Sequence, residues 1–343
     1  MVLRLLLALL LLAGCASPEE AAQDVKPSPP PPQQPETGLQ SAEPERPPPA
    51  PAESEQRKRH ANFSLVWSFD TGEPVYGVDM GKRYIAIASY DNMLRLMNRS
   101  GSVLWSFSTR GNAEGVALSE GENFLLASSY LVPEARVYLF SIGENTSLLW
   151  EKKFETQVKG VAVSERLRLA VVGDSSGVVR AYSLTGEPRW SFKIEKSAWG
   201  AWDVEIGNGI CVAGDDTYLY LLSPEGRMLW RQSGGRRGYF YGCALQEELV
   251  AGVTQDRMLY VFSARGKPLW SFRSGFANYD VALSKELVAL SSWDRKVYLF
   301  GADGELLQVL SFESEPTELD FSPDGKSLAV GSRDGRLYLF TEN

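Results

Sequence analysis

Leu259-Tyr260-Val261-Phe262-Ser263-Ala264-Arg265-Gly266-Lys267-Pro268-Leu269-Trp270 decides the fold of this chain. It reads as an apolar, aromatic strand, a turn built on glycine, and a second strand that opens on tryptophan. The arrangement recurs in Val179-Arg180-Ala181-Tyr182-Ser183-Leu184-Thr185-Gly186-Glu187-Pro188-Arg189-Trp190. Working outward, tryptophans stand at 67, 105, 150, 190, 230 and 270, with spacings of 38, 45, 40, 40 and 40. A further 38 residues on, the same slot holds Gln308. The strand before each tryptophan marches in step, from Leu94-Arg95-Leu96-Met97 and Val137-Tyr138-Leu139-Phe140 to Val297-Tyr298-Leu299-Phe300 and Leu337-Tyr338-Leu339-Phe340. Seven units of about 39 residues therefore lie between Leu65 and Phe340.

Inside each unit the apolar pattern breaks every five or so residues at a turn signal, as in Phe321-Ser322-Pro323-Asp324-Gly325-Lys326. Four short strands per unit follow, without a helical period of useful length. Repeats of that size and content predict an all-β, seven-bladed β-propeller of four-stranded blades. Because the repeat series starts on the Trp-Ser-Phe strand and ends on the Leu-Tyr-Leu-Phe strand, residues 65 to 69 are expected to complete the last blade and close the ring.

The quoted stretches Leu259 to Trp270 and Val179 to Trp190 resemble the repeat of quinoprotein, or pyrroloquinoline-quinone-like, propellers. Phe321-Ser322-Pro323-Asp324-Gly325-Lys326 and Val330-Gly331-Ser332-Arg333-Asp334-Gly335 are similar to WD-repeat blades, although the Gly-His and Trp-Asp pairs of strict WD repeats are missing. The resemblance is specific for fold and weak for function. Quinoprotein dehydrogenases usually have eight blades and a dedicated cofactor and calcium site, so seven blades count against a cofactor, and none is expected. As a lipoprotein carrying a quinoprotein-like propeller, the chain is also similar to the scaffold subunit of outer-membrane protein assembly machinery. Its blade count and long proline tether depart from that subunit.

The N-terminus supplies an address. Arg4, the apolar run Leu5 to Leu12, and Leu12-Ala13-Gly14-Cys15 read as a signal peptide over 1–14, too short to span a bilayer. The last four residues resemble the lipobox of prokaryotic lipoproteins, which implies cleavage before Cys15 and lipid on its sulfur. The competing reading is an ordinary signal peptide cut near Ala16. Residues 16–60 hold 12 of the 19 prolines and almost no large apolar side chain. Such a segment cannot bury enough surface to offset its ordering entropy, so 15–62 reads as a lipidated cysteine and disordered tether, with the propeller over 63–343. Fully extended, the tether reaches on the order of 140 Å at ~3.1 Å per residue. The expected location is the cell membrane or, in a diderm host, the outer membrane, lipid-anchored and extracytoplasmic.

A formal net charge of −8 and a pI near 5.0 oppose a nucleic-acid role. The one histidine, His60, lies at the tether's end, which leaves the propeller without imidazole for base catalysis or zinc. No catalytic residue and no metal site are assigned. Aspartates recur at one slot, Asp91, Asp216, Asp256, Asp294 and Asp334, with Glu134 and Ser176 completing it. They read as turn formers that bond their own backbone, and the repeated tryptophan reads as blade-to-blade packing. Cys211 and Cys243 read as two separately buried small hydrophobes; the alternative is a disulfide, since exported thiols can oxidise, and it would need Cα atoms within about 7 Å. Three sequons, at Asn62, Asn98 and Asn145, are expected to be exposed.

Aligning the units on Gly-Val-Ala-Leu places Tyr76, Glu114, Lys159, Trp202, Tyr241, Tyr279 and Thr317 in equivalent slots at the start of each inner strand. Loops expected on that face add Tyr90, Tyr130, Trp199, Tyr239, Phe276 and Trp293, with Arg236, Arg237, Arg257 and Arg295 among them. Aromatic residues with arginine are the composition of interface hot spots. Two readings stand: a face for a protein, peptide or glycan partner formed by Tyr76, Glu114, Lys159, Trp199, Trp202, Tyr239, Tyr241, Tyr279 and Trp293, or rings that pack against one another and cap the channel. The functional expectation is a membrane-anchored, non-enzymatic binding or scaffold module. The alternative is a quinone-dependent dehydrogenase or glycan-active enzyme working at the channel mouth.

Overall fold

Alternation of apolar and polar residues in short Val-, Leu- and aromatic-rich runs leaves each repeat one stable solution, an antiparallel sheet with both faces covered by neighbours. The computed structural model describes residues 60–343 apart from 195–199, 215–216 and 236–237. The segments read as signal peptide and tether lie outside the described residues, apart from 60–62. Among the described residues there is no helix, and 28 strands form seven four-stranded antiparallel sheets.

Blade 1 contains β2 (Val75–Met80), β3 (Tyr84–Ser89), β4 (Met93–Asn98) and β5 (Val103–Ser108). The same order repeats through β6 to β25 in blades 2 to 6. Blade 7 contains β26 (Pro316–Phe321), β27 (Ser327–Ser332), β28 (Arg336–Glu342) and, as its outer strand, β1 (Phe63–Asp70). The expected closure is therefore what the chain does: β1 pairs antiparallel with β28, Trp67 opposite Leu339 and Phe69 opposite Leu337. Inner strands touch in cyclic order, from β2 (75–80) through β6 (Asn112–Leu118), β10 (Val158–Ser164), β14 (Ala201–Ile206), β18 (Phe240–Gln246), β22 (Asn278–Leu283) and β26 back to β2.

Burial follows radial position. Second strands such as β27 are buried at every residue, while outer strands such as β5 expose alternate positions. The recurrent tryptophan sits on an outer strand and packs on the next blade. Trp190 Nε1 donates to the Pro224 carbonyl (2.8 Å), and Trp67, Trp150, Trp230 and Trp270 repeat the bond to the following turn. The indole lies over a turn glycine. At Gly226, with φ +80°, an added Cβ would stand 2.5 Å from the Trp190 ring, so both conformation and contact demand glycine.

Gln308 departs from this pattern for a reason the ring supplies. In blade 7 no turn joins the third strand, β28, to the outer strand, β1, so the neighbouring outer strand faces the start of β1. Gln308 answers with its amide: Nε2 donates to the Phe63 carbonyl and Oε1 accepts from the Phe63 N–H, both at 2.8 Å.

Asp91 and Asp334 behave as turn formers, whereas Asp256 accepts from the Thr254 hydroxyl and Asp294 from Gly275 N–H and the Tyr298 hydroxyl. Asp91 Oδ1 accepts from Met93 N–H (3.0 Å) and Asp334 Oδ1 from Arg336 N–H (3.1 Å). Their second oxygens reach four residues on, to Arg95 and to the Tyr338 hydroxyl. Asp216 lies outside the described residues. Of the sequons, Asn62 and Asn145 are exposed, whereas Asn98 is half-buried and its Oδ1 accepts from Ser100 and Ser102 N–H. Cys211 and Cys243 are free and buried, as expected, and both belong to one apolar cluster between blades 4 and 5.

Candidate functional site at the channel mouth

Every inner strand carries a register shift near its start, at Val75/Gly77 in blade 1, Ala201/Asp203 in blade 4 and Phe240/Gly242 in blade 5. Such a bulge adds a residue on one strand and re-aims the side chain beside it. Here it turns the first slot toward the upper mouth of the axial channel. Glycine follows in most blades because inner strands converge at the axis. At Gly115 a Cβ would lie 2.3 Å from the Lys159 carbonyl oxygen.

The mouth residues form a closed circuit. Tyr90 packs on Tyr76 (ring centroids 4.4 Å), Tyr76 on Tyr279 (6.0 Å), Tyr279 on Tyr241 (5.5 Å) and Tyr241 on Trp202 (4.7 Å). Lys159 Nζ lies 4.5 Å from the Trp202 ring centroid and 4.0 Å from Glu114 Oε2, and Tyr90 Oη donates back to Glu114 Oε1 at 3.1 Å. Gln157 Nε2 donates to the same carboxylate (3.0 Å). Aromatic stacking, a cation–π contact and one ion pair thus stopper the channel. Burial pushes the Glu114 carboxyl up, with Lys159, Gln157 and Tyr90 pulling it back. Burial pushes the Lys159 ammonium down against the opposing pull of Glu114 and Glu318. Each supplies the other's counter-charge.

Of the residues singled out in the sequence, Tyr76, Glu114, Lys159, Trp202, Tyr241 and Tyr279 meet in this circuit. Trp293 stands beside it, 6.4 Å from Tyr279. Thr317 turns away and donates to the Val75 carbonyl at 2.5 Å, fully buried. Tyr239 lies in the neighbouring loop, 43% exposed, and Trp199, Arg236 and Arg237 lie outside the described residues. Under the stopper is a void of about 20 Å³ floored by Asp203, Asp280 and Glu318, room for about one water.

Below that floor the channel widens to about 460 Å³. Its wall holds carboxylates that the sequence reading passed over: Asp79, Asp203, Glu205, Asp280, Glu318 and Asp320. Most grip the next blade. Leu118 N–H donates to Asp79 (2.7 Å), Cys243 N–H to Asp203 (2.8 Å), Leu319 N–H to Asp280 (3.1 Å) and Met80 N–H to Asp320 (2.8 Å). Val78 N–H donates to Glu318 (3.1 Å), so blade 7 holds blade 1 twice. Asp79 and Asp320 are neighbours at that seam, and burial and then the charge of Asp79 push Asp320 up. Burial pushes Asp203 up to about 6, and burial together with neighbouring carboxylates holds Asp280, Glu318 and Asp320 well above the ordinary range. Glu205 remains open to water in the lower channel, where enclosure and then Asp79, Asp203 and Asp280 raise it. The signal was present as departures from Gly-Val-Ala-Leu, such as Asp203-Val204-Glu205 and Glu318-Leu319-Asp320.

Fold and channel together define a pyrroloquinoline-quinone-like β-propeller. Residues 133–342 match the family described as outer membrane protein assembly factor BamB, and the chain belongs to that family. No curated protein matches it. The family description points to a module that binds proteins.

Proposed function

We propose that this propeller is a lipid-anchored, non-enzymatic scaffold whose upper rim holds a protein segment of an outer-membrane protein assembly apparatus. The carrying observation is the stopper. With the mouth filled by the protein's own side chains, recognition falls to the loops around it. Those loops display large apolar side chains to water: Leu131 (61% exposed), Val132 (75%), Phe276 (55%) and Tyr239. They share one face, because the turns between second and third strands bond the links that lead into the inner strands, as in Tyr90 N–H to Pro74 O, Gln255 N–H to Tyr239 O and Trp293 N–H to Ala277 O. Large exposed apolar groups beside Arg257 and Arg295 fit a protein partner better than a glycan, whose hydroxyls ask for a dense polar lining. Lipid at Cys15 and a proline tether would keep that face clear of the bilayer while confining it to the membrane surface.

The test is crosslinking capture from envelope extract with the parent and with Tyr239→Asp/Phe276→Asp, both solvent-facing. Loss of captured assembly components from the variant, with unchanged melting, is expected. Undiminished capture would refute the face, and capture of glycan in place of protein would refute the partner class. Labelling with a radioactive fatty acid, lost in Cys15→Ser, checks the anchor separately.

A further inference from the structure

The two cysteines of the propeller occupy matching slots. In every blade one second-strand residue lies opposite the same inner-strand position: Ala86 pairs with Asp79, Ala251 with Ala244, Ala329 with Asp320, and Cys211 with Glu205. That residue packs on the first apolar residue after the bulge of the next blade. The pair is Ala86 with Val116, Leu126 with Val161, Ala251 with Val281 and Ala329 with Val78. Only at the seam between blades 4 and 5 do both positions change, to Cys211 and Cys243. Two thiols have thus fallen on facing slots of one seam, where every other seam uses two aliphatic side chains.

We propose that Cys211 and Cys243 form a disulfide that staples blade 4 to blade 5 when the chain folds in an oxidising compartment; the proposal rests on the extracytoplasmic placement above. The two thiols lose two protons and two electrons as the Sγ–Sγ bond forms. A thiol–disulfide oxidoreductase accepts them through a mixed disulfide and is reduced to its dithiol. In the structure both are free, buried thiols of one cluster at this seam, and a bridge needs Cα atoms within about 7 Å of one another. Timing follows from burial: neither side chain is accessible in the finished ring. Burial, Cys211 and the carboxylates Asp203 and Glu205 also hold the Cys243 thiol well above its ordinary range, which starves it of thiolate. Pairing is therefore set while the blades assemble and is inert afterwards.

Peptide mapping of the full chain tests this. Trypsin cuts after Lys196, Arg227, Arg237 and Arg257, leaving the two cysteines on different peptides, with Cys15 counted apart. Protein from the envelope is acid-quenched, denatured and blocked with N-ethylmaleimide, with or without prior reduction. The expected result is one linked species and no adduct without reductant, and one adduct on each peptide after it. A second arm refolds reduced full chain in a glutathione redox buffer. Adducts on both peptides in that arm overturn the pairing outright. Linkage there with free thiols in the envelope protein supports the geometry and assigns the failure to the placement. Cys211→Ala/Cys243→Val restores the aliphatic pair of other seams and is expected to melt about 5 °C below the oxidised parent, because the staple closes a loop of about 30 residues. A double variant that melts with the oxidised parent overturns the stapling role.

Discussion

Replacing Gln308 by tryptophan would give blade 6 the residue that the corresponding slot holds in the other blades, and the structure predicts that this change weakens the protein. Five tryptophans of the ring lie on a glycine turn and donate to that turn's carbonyl. At the closing seam there is no turn, only the Phe63 backbone, whose N–H and C=O are both satisfied by the Gln308 amide. An indole offers one donor and no acceptor, so the Phe63 N–H is left beside an apolar ring. Phe63 is buried, and its ring packs on Phe321, so that donor has little access to water. Losing two hydrogen bonds costs about 1–3 kcal/mol, and stranding a buried donor raises the total to about 2–5 kcal/mol. For a domain of this size roughly 2 °C is lost per kcal/mol, giving a fall of about 4–10 °C in the melting temperature. Hydrogen exchange should localise the effect, with faster exchange along β1 and β28 and little change in blade 3. Gln308→Ala removes the same two bonds and should fall within the same range. A Gln308→Trp protein that melts at or above the parent would refute the reasoning, because the slot would then accept tryptophan as its counterparts do.

Acidification from pH 8 to about pH 5 should raise the melting temperature. Asp203, Asp280, Glu318 and Asp320 are held above their unfolded values, so the ring binds protons more tightly than the unfolded chain, and stability falls as pH rises through the folded values, near 6 for Asp203. Calorimetry across that window checks it, and Asp280→Asn, which keeps an acceptor for Leu319 N–H, should flatten the slope; a flat parent profile would refute the raised carboxylates. Deleting Leu65 to Phe69 should cost several kcal/mol, at ~3–5 per large aromatic removed from a core, while deleting 16–58 should leave the thermal melt unchanged. Equal melting of the two deletions would show that β1 does not close the ring.

Repeat number, strand order and closure were legible because they depend on local periodicity and on where the series starts and stops. Trp67, sitting alone ahead of the first complete blade, already implied a strand shared with Leu337 to Phe340. The mouth ring was legible as a set of slots, since alignment of the repeats brings Tyr76, Trp202, Tyr241 and Tyr279 into one register. That they stack into a stopper depends on distances across the axis, which no spacing along the chain encodes. The stapling carboxylates were visible only as irregularities. Asp79 lies two residues beyond a glycine in an ordinary alternating strand, and only the convergence of neighbouring inner strands gives it an N–H to accept. That Cys211 and Cys243 share one cluster was hidden for the same reason: their proximity is a property of radial order, which puts a second strand against the next blade's first.

The division between invariant slots and variable loops also locates recognition. A substitution at the axis is felt by two blades at once, because the carboxylates bond across seams and the mouth rings touch in series, so that region is constrained by closure. The upper turns carry no such duty and differ from blade to blade. The 45-residue spacing between Trp105 and Trp150 arises in part because β7 (Phe124–Leu131) and β8 (Glu134–Ser141) run eight residues each where strands of blade 1 run six. That extension lifts Leu131 and Val132 above the rim. Phe276 and Tyr239 project from links on the other side of the ring, so the apolar groups are unequally placed around a rigid circle. A partner that engages them meets a fixed, asymmetric pattern and pays little ordering entropy on the propeller's side. The rigidity enforced at the axis is thus what allows sparse contacts at the rim to be selective.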